Sequence, residues 1–224
     1  MSSGIARACG LLVFSGILSV RASGQSEPTS VDVAPFRSVE LRHGGKVILR
    51  YGPTQRVTFL KGSRDDARVT IASGDALVIE KVKSKGRPRR ELEIEILTPE
   101  LARVSIAHGG MIESTGSFPR QVAIEASVDN GGTIDIRSMA VGSVAASVLS
   151  GGRIFTKPIT RIAATVVEGG NITYWGDARV TSSIERGGVI ERGDPSDADR
   201  PVSEMGFSIA PVHTIPAPPP IKRL

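Results

Sequence analysis

Between Leu101 and Gly193 apolar and polar side chains alternate, and a pair of glycines interrupts the alternation at regular intervals. The pairs begin at Gly109, Gly131, Gly151, Gly169 and Gly187, so the steps are 22, 20, 18 and 18 residues. Aligned on the first glycine, the position seven upstream reads Ala102, Ile124, Val144, Ile162 and Val180. Five upstream stand Val104, Ala126, Ala146, Ala164 and Ser182, and three upstream Ile106, Val128, Val148, Val166 and Ile184. Three downstream stand Ile112, Ile134, Ile154, Ile172 and Ile190. Alternation at period two marks a strand with one buried face, because successive side chains leave opposite sides of the pleat. Each copy therefore predicts a strand, a corner and a second short strand.

One copy cannot bury its apolar face alone, whereas copies stacked in parallel at about 4.8 Å make continuous aliphatic ladders and pair the backbone groups between them. The expected fold is all-β, a right-handed parallel β-solenoid (β-helix) over 101–193. Right-handed is preferred because the repeat drifts in length and lacks a strict six-residue beat. The glycine pair suits a corner that needs positive φ and close backbone approach. No helix-forming segment follows any pair, so the helix terminus that turns a glycine-rich loop into a phosphate cradle is missing.

Over 31–100 the pattern changes to alternating strands joined by Gly, Asp and Pro turns, which predicts an N-terminal β region covering one end of the solenoid. Seven prolines fall between Pro195 and Pro220, so 194–224 reads as a flexible, extended tail, with a short piece around Met205 to Ile209 capping the last repeat. At the other end, Met1 to Arg7 is positive, Ala8 to Val20 is mostly apolar and too short to span a bilayer, and small residues follow. Residues 1–24 therefore read as an export signal, with Ala22 and Gly24 both offering a cleavage point. The single cysteine, Cys9, lies before the apolar stretch, where it is badly placed for a lipid anchor and would leave with the signal. A cysteine-free mature chain excludes disulfides and thiol chemistry.

The chain of 224 residues carries a net charge of +5, and losing Arg7 and Arg21 with the signal would leave +3. That mild basicity names no partner. Lys81, Lys83, Lys85, Arg87, Arg89 and Arg90 fall within ten residues. They read either as a solvated hairpin tip or as a contact for lipopolysaccharide, an acidic glycan or an anionic membrane. Export and the lack of interleaved aromatics argue against nucleic acid. No other stretch is long and apolar enough to span a bilayer.

These features together are similar to a known family. The opening PFRSVEL, then GGKVILRYG, the DALVIE strand, LEIEILTPELARVSIAHGG and the serial glycine corners resemble the head GIN domain family, whose members are broadly described as proposed autotransporter adhesins. The resemblance runs from about Val31 to Gly193. It implies an exported β-solenoid without established catalytic residues, so it assigns no site. Members often carry Ser-Gly-Ser-Gly corners, whereas this chain has paired glycines preceded by His, Asn, Ser, Glu or Arg.

Chemistry has few footholds. Glu113 and Asp135 share one column and should sit on adjacent repeats roughly 5 Å apart, close enough for paired carboxylates acting on a glycosidic bond. A solvated pair relieved by nearby cations is the ordinary alternative. His43, His108 and His213 have no ligand spacing, no GxSxG elbow occurs, and no cofactor is expected. Four residues before each glycine pair stand Ser105, Ser127, Ser147, Thr165 and Ser183, an outward hydroxyl row suited to bonding along the ladder or to docking an extended glycan. Trp175, the only tryptophan, should point outward beside Gly176, either to stack on a sugar or partner or to fold over the corner. The expectation is an exported, non-catalytic adhesin, envelope scaffold or glycan-contact module. Its rival is a polysaccharide lyase or glycosidase.

Overall fold

The computed structural model describes residues 28–82 and 91–205. Seventeen strands form two mixed sheets, and the only helical elements among the described residues are two 3₁₀ turns, Pro195–Asp197 and Val202–Glu204. The N-terminal strands are β1 (Thr29–Val31), β2 (Ser38–Arg42), β3 (Lys46–Tyr51), β4 (Arg56–Lys61), β5 (Ala67–Ala72), β6 (Ala76–Lys81) and β7 (Glu93–Thr98). The repeats supply β8 (Arg103–Ala107), β9 (Met111–Thr115), β10 (Gln121–Asp129), β11 (Thr133–Asp135), β12 (Val141–Ser150) and β13 (Arg153–Thr156). They continue with β14 (Pro158–Glu168), β15 (Asn171–Tyr174), β16 (Arg179–Ile184) and β17 (Val189–Arg192).

From β8 onward the chain alternates between the sheets. Even-numbered strands join one sheet and odd-numbered strands the other, and from β10 each is parallel to the strand two before it. The columns read from the sequence are the registers of these pairings: Ile124 faces Val144, which faces Ile162, and Ile112, Ile134, Ile154 and Ile172 align in turn. The isoleucine ladder is fully buried, with Ile112, Ile134, Ile154 and Ile172 at 0 % exposure. Between the sheets the side chains form one continuous apolar cluster running from Phe36 to Ile172.

At the corners the two glycines have different duties. Gly169 has φ +67° and Gly170 has φ +106°, so both occupy backbone conformations that side chains with a Cβ rarely adopt. Space separates them. A Cβ on Gly169 would meet nothing within 4 Å, whereas one on Gly170 would lie 2.6 Å from Val148 Cγ1 and 2.9 Å from the carbonyl oxygen of Gly152.

The parallel stack does not begin at Leu101. β2, His43-Gly44-Gly45 and β3 form a further copy that pairs in parallel with β8 and β9, matching Val39 to Val104, Leu41 to Ile106 and Val47 to Ile112. The step from Gly44 to Gly109 is 65 residues, because four strands intervene. Two of these, β6 and β7, add another parallel layer outside β2 and β3. The other two, β5 and β4, close that end antiparallel to β6 and β7, with β1 antiparallel on β4. The β region expected to cover one end thus also supplies two parallel layers. At the opposite end β16 and β17 are the last strands of their sheets, and Val180, Ile184 and Val189, at 37 %, 47 % and 44 % exposure, leave that end open.

One hydroxyl is out of place. Thr156 is 0 % exposed, and its Oγ1 has no hydrogen-bond partner among the described residues. Thr156→Val removes that unsatisfied group with little change of shape, and chemical denaturation should show a gain of about 1 kcal/mol. For the corner, Gly169→Ala should cost about 1 kcal/mol through backbone strain alone, and Gly170→Ala about 3 kcal/mol because strain and overlap combine. Equal losses for the two would contradict the division of duties.

Candidate functional site

Part of the outer face of the odd-numbered sheet, around Met111, Arg137, Phe155 and Trp175, is covered by residues 194–205, which follow β17 and turn back across the sheet. Their first turn is fixed by Asp194, whose carboxylate accepts from the hydroxyl of Ser196 at 2.6 Å and its backbone amide at 2.8 Å. The hydroxyl bond first, then the amide bond, holds that carboxyl below its ordinary range. The anchor is Arg137. Its guanidinium donates to the carbonyls of Asp197 and Arg200, both at 2.8 Å, and of Ala198 at 3.3 Å. It also binds both carboxylate oxygens of Asp135, at 2.9 and 2.7 Å. The same cation lies 5.0 Å from the ring of Trp175 and 5.6 Å from that of Phe155, within cation–π range.

Trp175 is therefore not a surface residue. It does point away from the sheet interior, as strand alternation requires, but it is 3 % exposed and packs with Phe155 and Val202, while Met111, Ala198 and Met205 border the cluster. Its indole N–H donates to the Asp194 carbonyl at 2.8 Å. The strap supplies the cover, so this indole is closed to a sugar or a partner. Residues 194–205 likewise do not belong to an extended tail, because Arg137 and the Trp175 cluster hold them. Met205 packs against the Trp175 cluster; the rest of the expected cap, 206–209, lies outside the described residues, as do 1–24.

Glu113 and Asp135 are direct neighbours in register, and a groove of about 570 Å³ runs beside them under the strap. Each carboxylate is engaged by a cation: Glu113 by Lys46 at 2.7 Å, and Asp135 by Arg137 with side chains only 13 % and 7 % exposed. Arg137 engages both oxygens of Asp135.

The outer face of the even-numbered sheet has a different character. Ser105, Ser127, Ser147, Thr165 and Ser183 align strand by strand, and among the described residues no hydrogen bond joins their hydroxyls. Beside the row, Ala123, Ala145 and Ala163 keep the surface low and leave a trough of about 680 Å³, bordered by Glu125, Ser143, Arg161, Arg179 and Thr181. Arg103 pairs with Glu125 at 2.7 Å, and Arg161 donates to Ser143 at 3.1 Å. The trough was not legible as such: the sequence showed the hydroxyl column, while the depth comes from alanines on two flanking columns.

Elsewhere, His43 and His108 occupy successive stacked corners with ring centres 5.2 Å apart, bracketed by Glu80 and Asn130. Among the described residues no three His, Cys, Asp or Glu side chains converge as metal ligands. His213 is outside the described residues. Of the basic run, Lys81 closes β6, whereas Lys83, Lys85, Arg87, Arg89 and Arg90 lie outside the described residues.

The chain matches no protein-family model, and no curated protein is significantly similar to it in sequence. Among solved structures it is similar to a "putative adhesin" from Bacteroides fragilis, at 17 % identity and TM-score 0.41, over 75 % of this chain and 97 % of that one. It is similar also to a "putative cell adhesion protein" from Clostridium sporogenes, at 12 % and 0.36, over 74 % and 99 %. A third is a "putative lipid binding protein" from Parabacteroides distasonis, at 15 % and 0.30, over 75 % and 96 %. Likeness at this level transfers no activity. No helix among the described residues is long and apolar enough to cross a membrane.

The strap has a direct optical readout, since Trp175 is the only tryptophan. Arg137→Ala should free residues 194–205, shift tryptophan emission to longer wavelength and open the indole to iodide quenching, with β-sheet circular dichroism retained. Unchanged emission would show that Arg137 does not hold the strap.

Proposed function

We propose that this is an exported, non-catalytic contact module of the cell envelope or extracellular space, built as a right-handed parallel β-solenoid whose even-numbered sheet docks an extended glycan. The solenoid reading is supported by the strict alternation of β8 to β17 between two sheets with parallel pairing throughout. Export is supported by the charge and hydropathy pattern of residues 1–24.

The observation that carries the glycan reading is the trough beside the hydroxyl row. Sugars are bound by shallow, polar surfaces that present hydroxyl donors and acceptors in a fixed arrangement, and Ser127, Ser147 and Thr165 do so at the spacing of the sheet. Arg161 and Arg179 on the border favour a chain carrying carboxylate or sulfate groups. The basic run from Lys81 to Arg90 would add attraction for the same class of polymer or for an anionic envelope surface.

The groove beside Glu113 and Asp135 favours a second reading, a polysaccharide-cleaving enzyme. Against it, Arg137 engages both oxygens of Asp135, whose side chain is only 13 % exposed, and Lys46 pairs with Glu113, so neither carboxylate meets the groove without a cation on it.

A glycan array with acidic and neutral polysaccharides should give binding to acidic chains. Ala145→Gln combined with Ala163→Gln fills the trough and should weaken that binding about tenfold without altering the melting temperature. Release of oligosaccharides from the same polymers, abolished in Glu113→Gln, would overturn the non-catalytic reading.

A further inference from the structure

We infer that the open end of the stack is a self-recognition surface, and that two copies join through β16 in an antiparallel pair centred on Ser182. The inference stands on the strand edge itself and does not need the glycan reading.

The two ends of the molecule are treated differently. At the far end, β4 and β5 run antiparallel to their neighbours; the three-residue β1 finishes one sheet, and β5 finishes the other with Val69 and Ile71 partly buried against the core. At the near end, β16 offers six residues paired on one side only. Val180, Ser182 and Ile184 occupy the positions that are buried in the preceding repeats as Ile162, Ala164 and Val166, yet here all three are exposed. A parallel sheet edge with apolar residues along it and neither lysine nor proline within it templates further pairing.

What selects a second copy is the charge pattern of the strand. In an antiparallel pair the numbers of facing residues add to a constant, so a two-fold axis through Ser182 sets Val180 against Ile184 of the copy and Thr181 against Ser183. It also sets Arg179 against Glu185. In the monomer neither Arg179 nor Glu185 has a side-chain partner among the described residues, although their neighbours do: Arg186 pairs with Glu168, and Arg192 with Asp177. The two free charges flank the edge strand, are opposite in sign and become mutual partners under one rotation, twice over. This is the self-complementarity that an isologous dimer demands. The same rotation sets Ser183 of each copy beside Thr181 of the other, so two hydroxyl pairs meet across the joint.

Sedimentation velocity on the mature chain over a concentration series should show a monomer–dimer equilibrium. Arg179→Glu and Glu185→Arg should each raise the dimer Kd about tenfold or more by setting like charges opposite one another, with circular dichroism unchanged. The double reversal Arg179→Glu/Glu185→Arg should restore the original Kd, which no loss of folding can mimic. Ser182→Cys in the mature chain, otherwise free of cysteine, should form an intermolecular disulfide on mild oxidation. A chain that stays monomeric at every concentration overturns the inference, as does a dimer indifferent to both reversals. A full chain that is monomeric while one ending at Met205 dimerises also overturns it, by showing that residues 206–224 cover the edge.

Discussion

In each corner the carbonyl of the second glycine accepts a hydrogen bond from the backbone amide just beyond the glycine pair of the next layer. The series runs from Gly45 to Met111, Gly110 to Thr133, Gly132 to Arg153, Gly152 to Asn171 and Gly170 to Val189, at 2.9 to 3.0 Å. The bond demands that one corner rest on another at backbone distance, and at that distance a Cβ has no room. Because the corners are locked in register, each strand can slide by no residue without breaking them. The aliphatic columns, the hydroxyl row and the neighbouring Glu113 and Asp135 all inherit their alignment from this stacking.

With the interior fixed this way, the two outward faces are free to differ. One is strapped over by a segment whose backbone carbonyls are satisfied by a single guanidinium, that of Arg137, itself neutralised by Asp135. Arginine fits this duty because its planar head serves the carboxylate on one edge and the carbonyls on the other while presenting its face to aromatic rings. The other face keeps its small side chains uncovered.

The parts that the sequence made legible are those governed by local periodicity. The strand faces, the corners and the order of columns follow from period two and the recurrence of Gly-Gly. The copy at His43 to Gly45 carries the same His-Gly-Gly as His108 to Gly110, yet four inserted strands hide its kinship because a period is visible only when it is uninterrupted. Trp175 was placed on the correct side of its strand, but its surroundings stayed open between an exposed ring and a covered one. Parity decides which way a side chain points, but whether something lies over it depends on where a distant segment returns. Arg137 gave no local sign of its role, since its partners are backbone carbonyls sixty residues away.

The crossing connections at the N-terminal end have a consequence for how such molecules can lengthen. Layers built from β2, β3, β6 and β7 are interleaved out of chain order, so duplicating any one of them would demand rerouting of the rest. From β8 onward, order along the chain equals order in the stack, and one extra unit of some eighteen residues would insert between existing layers with both its neighbours unchanged. Each insertion would extend the molecule by about 4.8 Å. Gene duplication thus has a permissive half and a prohibitive half to work on, and homologues of different reach should vary in the number of glycine corners after β8 while keeping the interleaved end constant.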